Sequence, residues 1–331
     1  VHLVVKRENN GAELAETNRL VNGQVAQSRQ ASSFYYLPGS QFTSRSASGF
    51  SARAIPAGCT WSSNAPMILS QSDTKPSYIL GWVNSRLIRT LIEMQSTADD
   101  YVPNSLKCLP WISASILEKD VSNATDWLVG AYRRLEEWGE TDPFFLTPFN
   151  AGGSRKVVFE FGHEDRNELL LKIRDTQKHI STLIDRAYDF DSSELSAEVL
   201  ERDVTEECPS SSIDLDTWKR AILSYCVGVA LGRFDWRLAT REREPPPEPG
   251  PFDPLPAKSP GMLPDGAKPF HVHPGILVDD SGHPHDLVHL IEEVLARVNI
   301  PATDDVRRWR QRDFFPFHLQ RYSKSRRKAP I

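Results

Sequence analysis

The densest group of residues that could carry chemistry lies near the end of the chain, in residues 306–331. This segment holds nine Lys or Arg against a single acid, Asp313, with aromatic residues such as Trp309 and Phe315 between the arginines. Cationic side chains contact phosphates, and aromatic faces stack on exposed bases. Nothing in the segment offers rigid framing for base readout, so we expect phosphate contacts. The cations expected to make them are Arg321, Lys324, Arg326, Arg327 and Lys328.

The charge of the whole chain does not by itself indicate nucleic acid. The net charge is −5 and residues 306–331 carry +8, which leaves −13 for residues 1–305. Part of that acidity is local, because residues 185–216 hold eleven Asp or Glu against two Arg. A basic end beside an acidic body predicts either an anionic partner or pairing between the two segments. A further alternative is that the aromatic side chains anchor the basic segment while its charges face water.

No other group of residues has the spacing of a known catalytic or metal site. His285 and His289 lie four residues apart, so a helix would bring both to one metal ion. The His-Glu-x-x-His pattern is absent, however, so surface or capping roles are expected for these histidines. Residues 150–156 lack the spacing of a phosphate-binding loop, and no Gly-x-Ser-x-Gly elbow is present. We therefore expect no catalytic residue and no metal ligand in this chain.

The cysteines and the apolar stretches bound the location of the protein. The four cysteines form no Cys-x-x-Cys pair, which argues against a zinc ribbon, a redox motif or a disulfide framework. No apolar stretch approaches the roughly 18 residues of a membrane-spanning helix, and no signal peptide opens the chain. The sequence therefore predicts a reduced, cytoplasmic protein with no membrane partner. Because it starts at Val1 and stops after a basic run, we expect a piece of a longer polypeptide.

Hydrophobic periodicity predicts the elements that position these residues. Short apolar runs bounded by turn residues indicate strands over 54–61 and 66–69. Apolar residues at three- and four-residue spacing indicate a helix over 78–94. The side chains expected to form its buried face are Trp82, Leu87, Ile88 and Leu91. Further helices are expected over 123–138, 164–188, 215–232 and 286–298.

These elements predict an α+β protein, in which a small β-rich unit is followed by a mainly helical region and a short basic C-terminal helical unit. The prolines of residues 245–269 predict a polyproline-type linker. The chain is therefore expected to divide into units at 1–113, 114–244, 245–269 and 270–331.

Several stretches, in the same order along the chain, resemble one protein family. They are residues 79–86, 101–110, 227–237, 275–280 and 321–331, which include Ile79-Leu80-Gly81-Trp82-Val83-Asn84-Ser85-Arg86 and Arg321-Tyr322-Ser323-Lys324-Ser325-Arg326-Arg327-Lys328. The family is that of the large adenine-specific DNA methyltransferases of type IIG restriction–modification and of PglX-like, BREX-type phage-defence systems. The resemblance covers roughly residues 50–331 and implies that the β-rich unit is a target-recognition-like region.

The chain departs from this family in lacking its catalytic motifs. Such enzymes carry a glycine motif that binds S-adenosylmethionine and an Asn/Asp-Pro-Pro-Tyr/Phe motif that contacts the target adenine. Here the only consecutive prolines are Pro245, Pro246 and Pro247, and no aromatic residue follows them. We therefore expect no cofactor in this chain. S-adenosylmethionine is expected for the parent enzyme, whose catalytic half would precede Val1, and whether the chain by itself has any activity stays open.

The resemblance implies a DNA-binding, target-recognition and accessory portion of such a methyltransferase. Its expected partners are double-stranded DNA, the missing methyltransferase domain and other phage-defence proteins. In the first unit the candidate DNA-contacting residues are Arg45, Arg53 and Lys107. One alternative is a protein–protein interaction module of a phage-defence complex with no DNA contact of its own. Another is a free-standing enzyme of unrelated type.

Overall fold

The fold is known from a computed structural model of the chain. The residues that it describes are 32–62, 64–70, 73–96, 100–112, 114–136, 139–148, 158–191, 215–273, 275, 277–301 and 306–322.

A small antiparallel sheet opens the described part of the chain. Its strands are β1 (Gly39–Phe42), β2 (Ala52–Ile55) and β3 (Met67–Ile68), in the order β2-β1-β3. Both pairings of β1 are antiparallel. The α+β class with a small sheet is thus confirmed. The central strand lies outside the two predicted strand ranges, because its sequence Gly-Ser-Gln-Phe carries little strand propensity and is held by pairing on both edges.

The single helix predicted over 78–94 is wrong, because the chain forms two helices there. They are α1 (Pro76–Val83) and α2 (Arg86–Met94). Between them, the Asn84 side chain accepts from the Ala52 amide and donates to the Ala52 carbonyl, both at 2.8 Å. Ser85 is extended, and its hydroxyl donates to the Trp82 carbonyl at 2.7 Å. Hydrogen bonds to the sheet thus end α1 where the apolar pattern alone would continue it.

Eight further helices follow in the described residues, and four of them overlap the ranges predicted over 123–138, 164–188, 215–232 and 286–298. They are α3 (Pro103–Lys107), α4 (Ser115–Glu136), α5 (Val158–Ala187), α6 (Leu215–Ala230), α7 (Trp236–Thr240), α8 (Leu287–Arg297), α9 (Val306–Arg312) and α10 (Phe314–Tyr322). None of the described helices is long and apolar enough to cross a membrane.

The first hydrophobic cluster joins the sheet to four helices. It contains Phe50 beside the sheet, Tyr78 on α1, Ile88 on α2, Val121 on α4 and Ile184 on α5, all almost fully buried. Of the side chains predicted to form the buried face of 78–94, Leu91 is partly buried. The ones that are buried as predicted are Trp82, Leu87 and Ile88.

The second cluster is built by the later helices. Tyr225 on α6, Phe234, Ile291 on α8 and Trp309 on α9 pack together with Phe145. The predicted range 114–244 therefore supplies residues to both clusters, since α4 and α5 pack in the first and α6 in the second.

The Pro-rich segment is bonded to both clusters. The Ala57 amide, next to the sheet, donates to the Phe252 carbonyl at 3.0 Å. The Gly261 amide donates to the Phe145 carbonyl at 2.8 Å. A segment whose composition predicts a linker is thus part of the packed structure.

Candidate anion-binding cavity

A cavity of about 910 Å³ lies where β2, α1, α2, α4, α5 and the Pro-rich segment meet. That volume falls within the range of roughly 300–1,000 Å³ typical of small-molecule sites. Its apolar lining comes from several of these elements and includes Leu80, Leu128, Val129, Ile180 and Leu255. The cavity therefore has an apolar floor of the kind that buries the body of an organic ligand.

The same cavity is lined by five cationic side chains and one acidic one. The acid is Asp142. The cations are Arg45, Arg53, Arg89, Arg133 and Lys178. A concave surface lined by one sign of charge concentrates counter-ions from solution. The chain is acidic over residues 1–305, so this local excess of positive charge runs against its overall balance.

Two of the candidate DNA-contacting residues, Arg45 and Arg53, are brought together in this wall. Arg53 lies on β2 opposite Gln41 of β1 and is exposed. Arg45 follows β1, its side chain is 83% exposed, and its guanidinium lies 3.8 Å from the Asp100 carboxylate. Exposed pairs at such a distance contribute little, so Arg45 stays available to an anion.

The third candidate of the first unit, Lys107, does not line the cavity. It is exposed at the end of α3. Lys178 on α5 does line it. Its backbone carbonyl accepts from the Thr182 hydroxyl at 2.9 Å, and its side chain, like that of Arg53, has no partner among the described residues. Sequence reasoning missed Lys178, because nothing in the periodicity of a long surface helix marks which of its cations faces the sheet.

Arg133 on α4 has a different role in the wall. Its guanidinium donates to three consecutive carbonyls of the Pro-rich segment, those of Pro249 at 2.8 Å, Gly250 at 3.2 Å and Pro251 at 3.1 Å. It also lies 4.3 Å from the centre of the Phe144 ring. These contacts hold the Pro-rich segment against the cavity, so Arg133 is a positioning residue.

Two arginines of the basic segment, residues 306–331, are paired with nearby acidic residues. Arg307 donates to Asp279 and, at 2.5 Å, to Asp286, while Arg310 also donates to Asp279. The hydrogen bond from Gln311, together with the charges of Arg310 and Arg307, lowers the pKa of Asp279. These arginines therefore pair with the loop before α8.

The aromatic residues of the same segment divide between the core and the surface. Trp309 and Phe317 are buried in or beside the second cluster, whereas Phe315 is 67% exposed. Arg321 lies with its guanidinium 5.2 Å from the centre of the Phe317 ring, and burial lowers its pKa. The other cations predicted to contact phosphates lie outside the described residues, and they are Lys324, Arg326, Arg327 and Lys328.

Sequence reasoning also missed a buried polar group that joins α10 to α6. The Ser224 hydroxyl donates to Glu140 at 2.9 Å and lies 3.1 Å from Nε2 of His318, which in turn is 3.4 Å from Glu140. A hydrolytic triad needs its acid on the other ring nitrogen, but Nδ1 of His318 faces the Phe314 carbonyl at 2.9 Å. Ser224 is only 2% exposed, so this group is structural.

The histidines near residue 285 do not form the arrangement that would bind a metal. α8 begins at Leu287, so His285 precedes the helix and does not share a helical face with His289. His289 and His271 both lie beside Glu293, at 3.3 and 2.7 Å. In the part of the chain that the structure describes, no group of three or more acidic, His or Cys side chains could hold a metal ion.

Comparison with models of known protein families and with curated proteins found no match to this chain. The resemblance to adenine-specific DNA methyltransferases therefore depends on the sequence motifs alone.

Proposed function

We propose that this chain binds double-stranded DNA, as the target-recognition and accessory portion of an S-adenosylmethionine-dependent adenine-specific DNA methyltransferase of restriction–modification or phage-defence type. The observation that supports DNA binding is the lining of the cavity, which holds five cations and one acid; Arg45 and Arg133 also lie near Asp100 and Glu248, at 3.8 and 3.5 Å. The methyltransferase assignment is supported by the motif resemblance. The β-rich region around β1–β3 is then the target-recognition unit, and the parent's methyltransferase domain is its intramolecular partner.

The contacts proposed here are with DNA phosphates. Arg53 lines the cavity from a strand and Lys178 lines it from a helix, and neither side chain is committed to a partner among the described residues. Such cations supply the salt-dependent, sequence-independent part of DNA affinity, since each neutralised phosphate releases counter-ions. Arg45 also lines the cavity, and we propose that Arg321 and the cations of residues 324–328 contact phosphates as well.

Salt-dependent binding of a labelled duplex, measured by fluorescence anisotropy with the full chain, tests this proposal. Each phosphate contact contributes about 0.9 to the slope of log K against log salt, so Arg53→Ala with Lys178→Ala should flatten the slope by about two. The matched control is Lys172→Ala, which removes an exposed lysine from the same helix outside the cavity. An unchanged slope in the double variant, or an equal loss in the control, would overturn the proposal.

One observation favours the second candidate, a protein–protein interaction module with no DNA contact. Arg307 and Arg310 are already paired with Asp279 and Asp286, which removes two cations of the basic segment from any phosphate. A module of this kind would retain no duplex at any salt concentration. The titration described above therefore separates the two candidates directly.

A further inference from the structure

We propose that the cavity binds a nucleoside phosphate, with the phosphate at its cationic rim between Arg53 and Lys178 and the heterocycle on its apolar floor. The proposal rests on the proposed function for the phosphate-binding role of these two cations. It goes further because it assigns a ligand to the interior of the cavity. Duplex DNA that contacts the rim would leave that interior unfilled.

The first argument is the separation of two chemistries within one space. Leu128 and Val129 line the cavity from α4, and Leu80 lines it from α1, whereas Arg53 is exposed on the edge strand. A simple anion would pair with the cations but would leave the apolar side chains of the floor in contact with water. A purely apolar ligand would leave the cations without a counter-charge. A nucleotide satisfies both, because it joins a flat heterocycle to a phosphate.

The second argument is that the walls are held in place before any ligand arrives. Gln177 on α5 donates to the Tyr132 hydroxyl at 3.1 Å, which fixes an aromatic ring of the cavity lining. Arg133 holds the Pro-rich wall through its carbonyl contacts. A pre-formed cavity loses less conformational entropy on binding than one that must close around its ligand.

The third argument is size. A cavity of about 910 Å³ accommodates a small organic molecule but not a segment of duplex, whose two strands stay together. The ligand is therefore a free nucleotide or an unpaired nucleotide of a strand, and both sources present the same heterocycle and phosphate.

Isothermal titration calorimetry of the full chain with three probes tests the assignment: thymidine 5′-monophosphate, thymidine and inorganic phosphate. We expect the nucleotide to bind at least tenfold more tightly than either of the others, because only the nucleotide uses rim and floor together. Phosphate binding as tightly as the nucleotide would overturn the proposal in favour of a simple anion site. Failure of all three probes to bind at millimolar concentration would also overturn it.

A cavity-filling substitution separates this inference from the proposed function. Val129→Trp places an indole on the floor and should weaken the nucleotide at least tenfold, while duplex binding at the rim is retained. Ile116→Trp, on the same helix but 79% exposed and outside the cavity, is the matched control and should change neither. If Val129→Trp fails to fold, Leu255→Trp in the non-helical wall makes the same test.

The outcomes of the two proposals are distinguishable. If the wild-type chain does not bind the duplex, the proposed function is refuted, whether or not the chain binds the nucleotide. Duplex binding with a nucleotide affinity that Val129→Trp leaves unchanged refutes only the inference. A five-residue thymidine oligonucleotide identifies the source: tighter binding than the mononucleotide supports a site for an unpaired strand, and equal or weaker binding supports a site for the free nucleotide.

Discussion

The Asp235 carboxylate is the most heavily hydrogen-bonded buried acid that the structure describes. It is fully buried at the start of α7 and accepts from Arg237 Nε at 2.7 Å, Arg237 Nη2 at 2.9 Å and Arg243 Nη1 at 2.8 Å, as well as from the Arg237 amide. Its own amide donates to Gly261 of the Pro-rich segment, and its carbonyl accepts from Tyr225. Asp235 therefore ties α6, α7 and the Pro-rich segment together.

Asp235→Asn removes the charge while keeping the volume and a residue that caps helices equally well. Breaking a buried ion pair typically costs about 3–5 kcal/mol. Because the Arg237 and Arg243 side chains are 30% and 31% exposed and can be hydrated, we expect a loss of about 3 kcal/mol at pH 7. Urea unfolding followed by circular dichroism measures it. The control, Asp265→Asn, alters a carboxylate that is 88% exposed and should cost less than about 0.5 kcal/mol.

The pH dependence of the difference in unfolding free energy between wild type and Asp235→Asn tests whether that difference is electrostatic. Burial alone would raise the pKa of Asp235, but the hydrogen bonds from Arg237 and Arg243 outweigh it, so its pKa in the folded protein is lowered. Stability from the ionised form is therefore fully present above the ordinary Asp pKa of about 3.9 and is lost as the pH falls through the lower folded value. The gap between wild type and variant should shrink below about pH 4. A gap that stays constant to pH 3, or lies under about 1 kcal/mol at pH 7, would refute the reasoning.

Three other substitutions test the packing around the cavity and between the clusters. Gly81→Ala should lower the free energy of unfolding by about 1–3 kcal/mol, because a Cβ there would lie 2.3 Å from Oγ1 of Thr125 on α4; an unchanged melting temperature would show that α1 and α4 move apart freely. Leu87→Ala should cost about 2–5 kcal/mol in urea unfolding, and a change well under 1 kcal/mol would contradict its burial. Ser224→Ala should cost about 1–3 kcal/mol, since it removes the Ser224 hydroxyl from the buried Glu140 carboxylate; a neutral result would show that another donor takes its place.

The helices α4, α5, α6 and α8 follow from local pattern, and the interruption at Asn84 does not. The apolar spacing over 78–94 predicts burial of Trp82 and Ile88, and both are buried. The break depends on Asn84 bonding the backbone of Ala52, 32 residues earlier in the chain. A polar residue on an apolar helix face carries no local sign that it will end the helix by bonding a strand.

Only part of the candidate site could be predicted from the sequence, because the rest depends on contacts between distant parts of the chain. Arg45 and Arg53 lie in a short polar stretch beside predicted strands, which marks the first unit as a place for binding residues. Arg133 and Lys178 lie on helices, 91 and 136 residues after the end of β1 at Phe42, and their charges look like those of any solvated helix face. Their convergence depends on how α4 and α5 pack against α1, and a single sequence does not encode that packing in its periodicity.

The composition of the Pro-rich segment predicts a linker, and in the structure the segment is hydrogen-bonded beside both hydrophobic clusters. Proline has no amide hydrogen, so consecutive prolines cannot pair with a strand or helix, and their carbonyls must find other donors. Arg133 meets three carbonyls of the segment at once from two nitrogens of a planar fork with five N–H donors, whereas the three donors of a lysine all lie on one nitrogen. The segment whose prolines predict a polyproline-type linker is therefore held against the cavity by one arginine. An arginine-to-lysine change at this position would keep the charge of the cavity and lose the wall that shapes it.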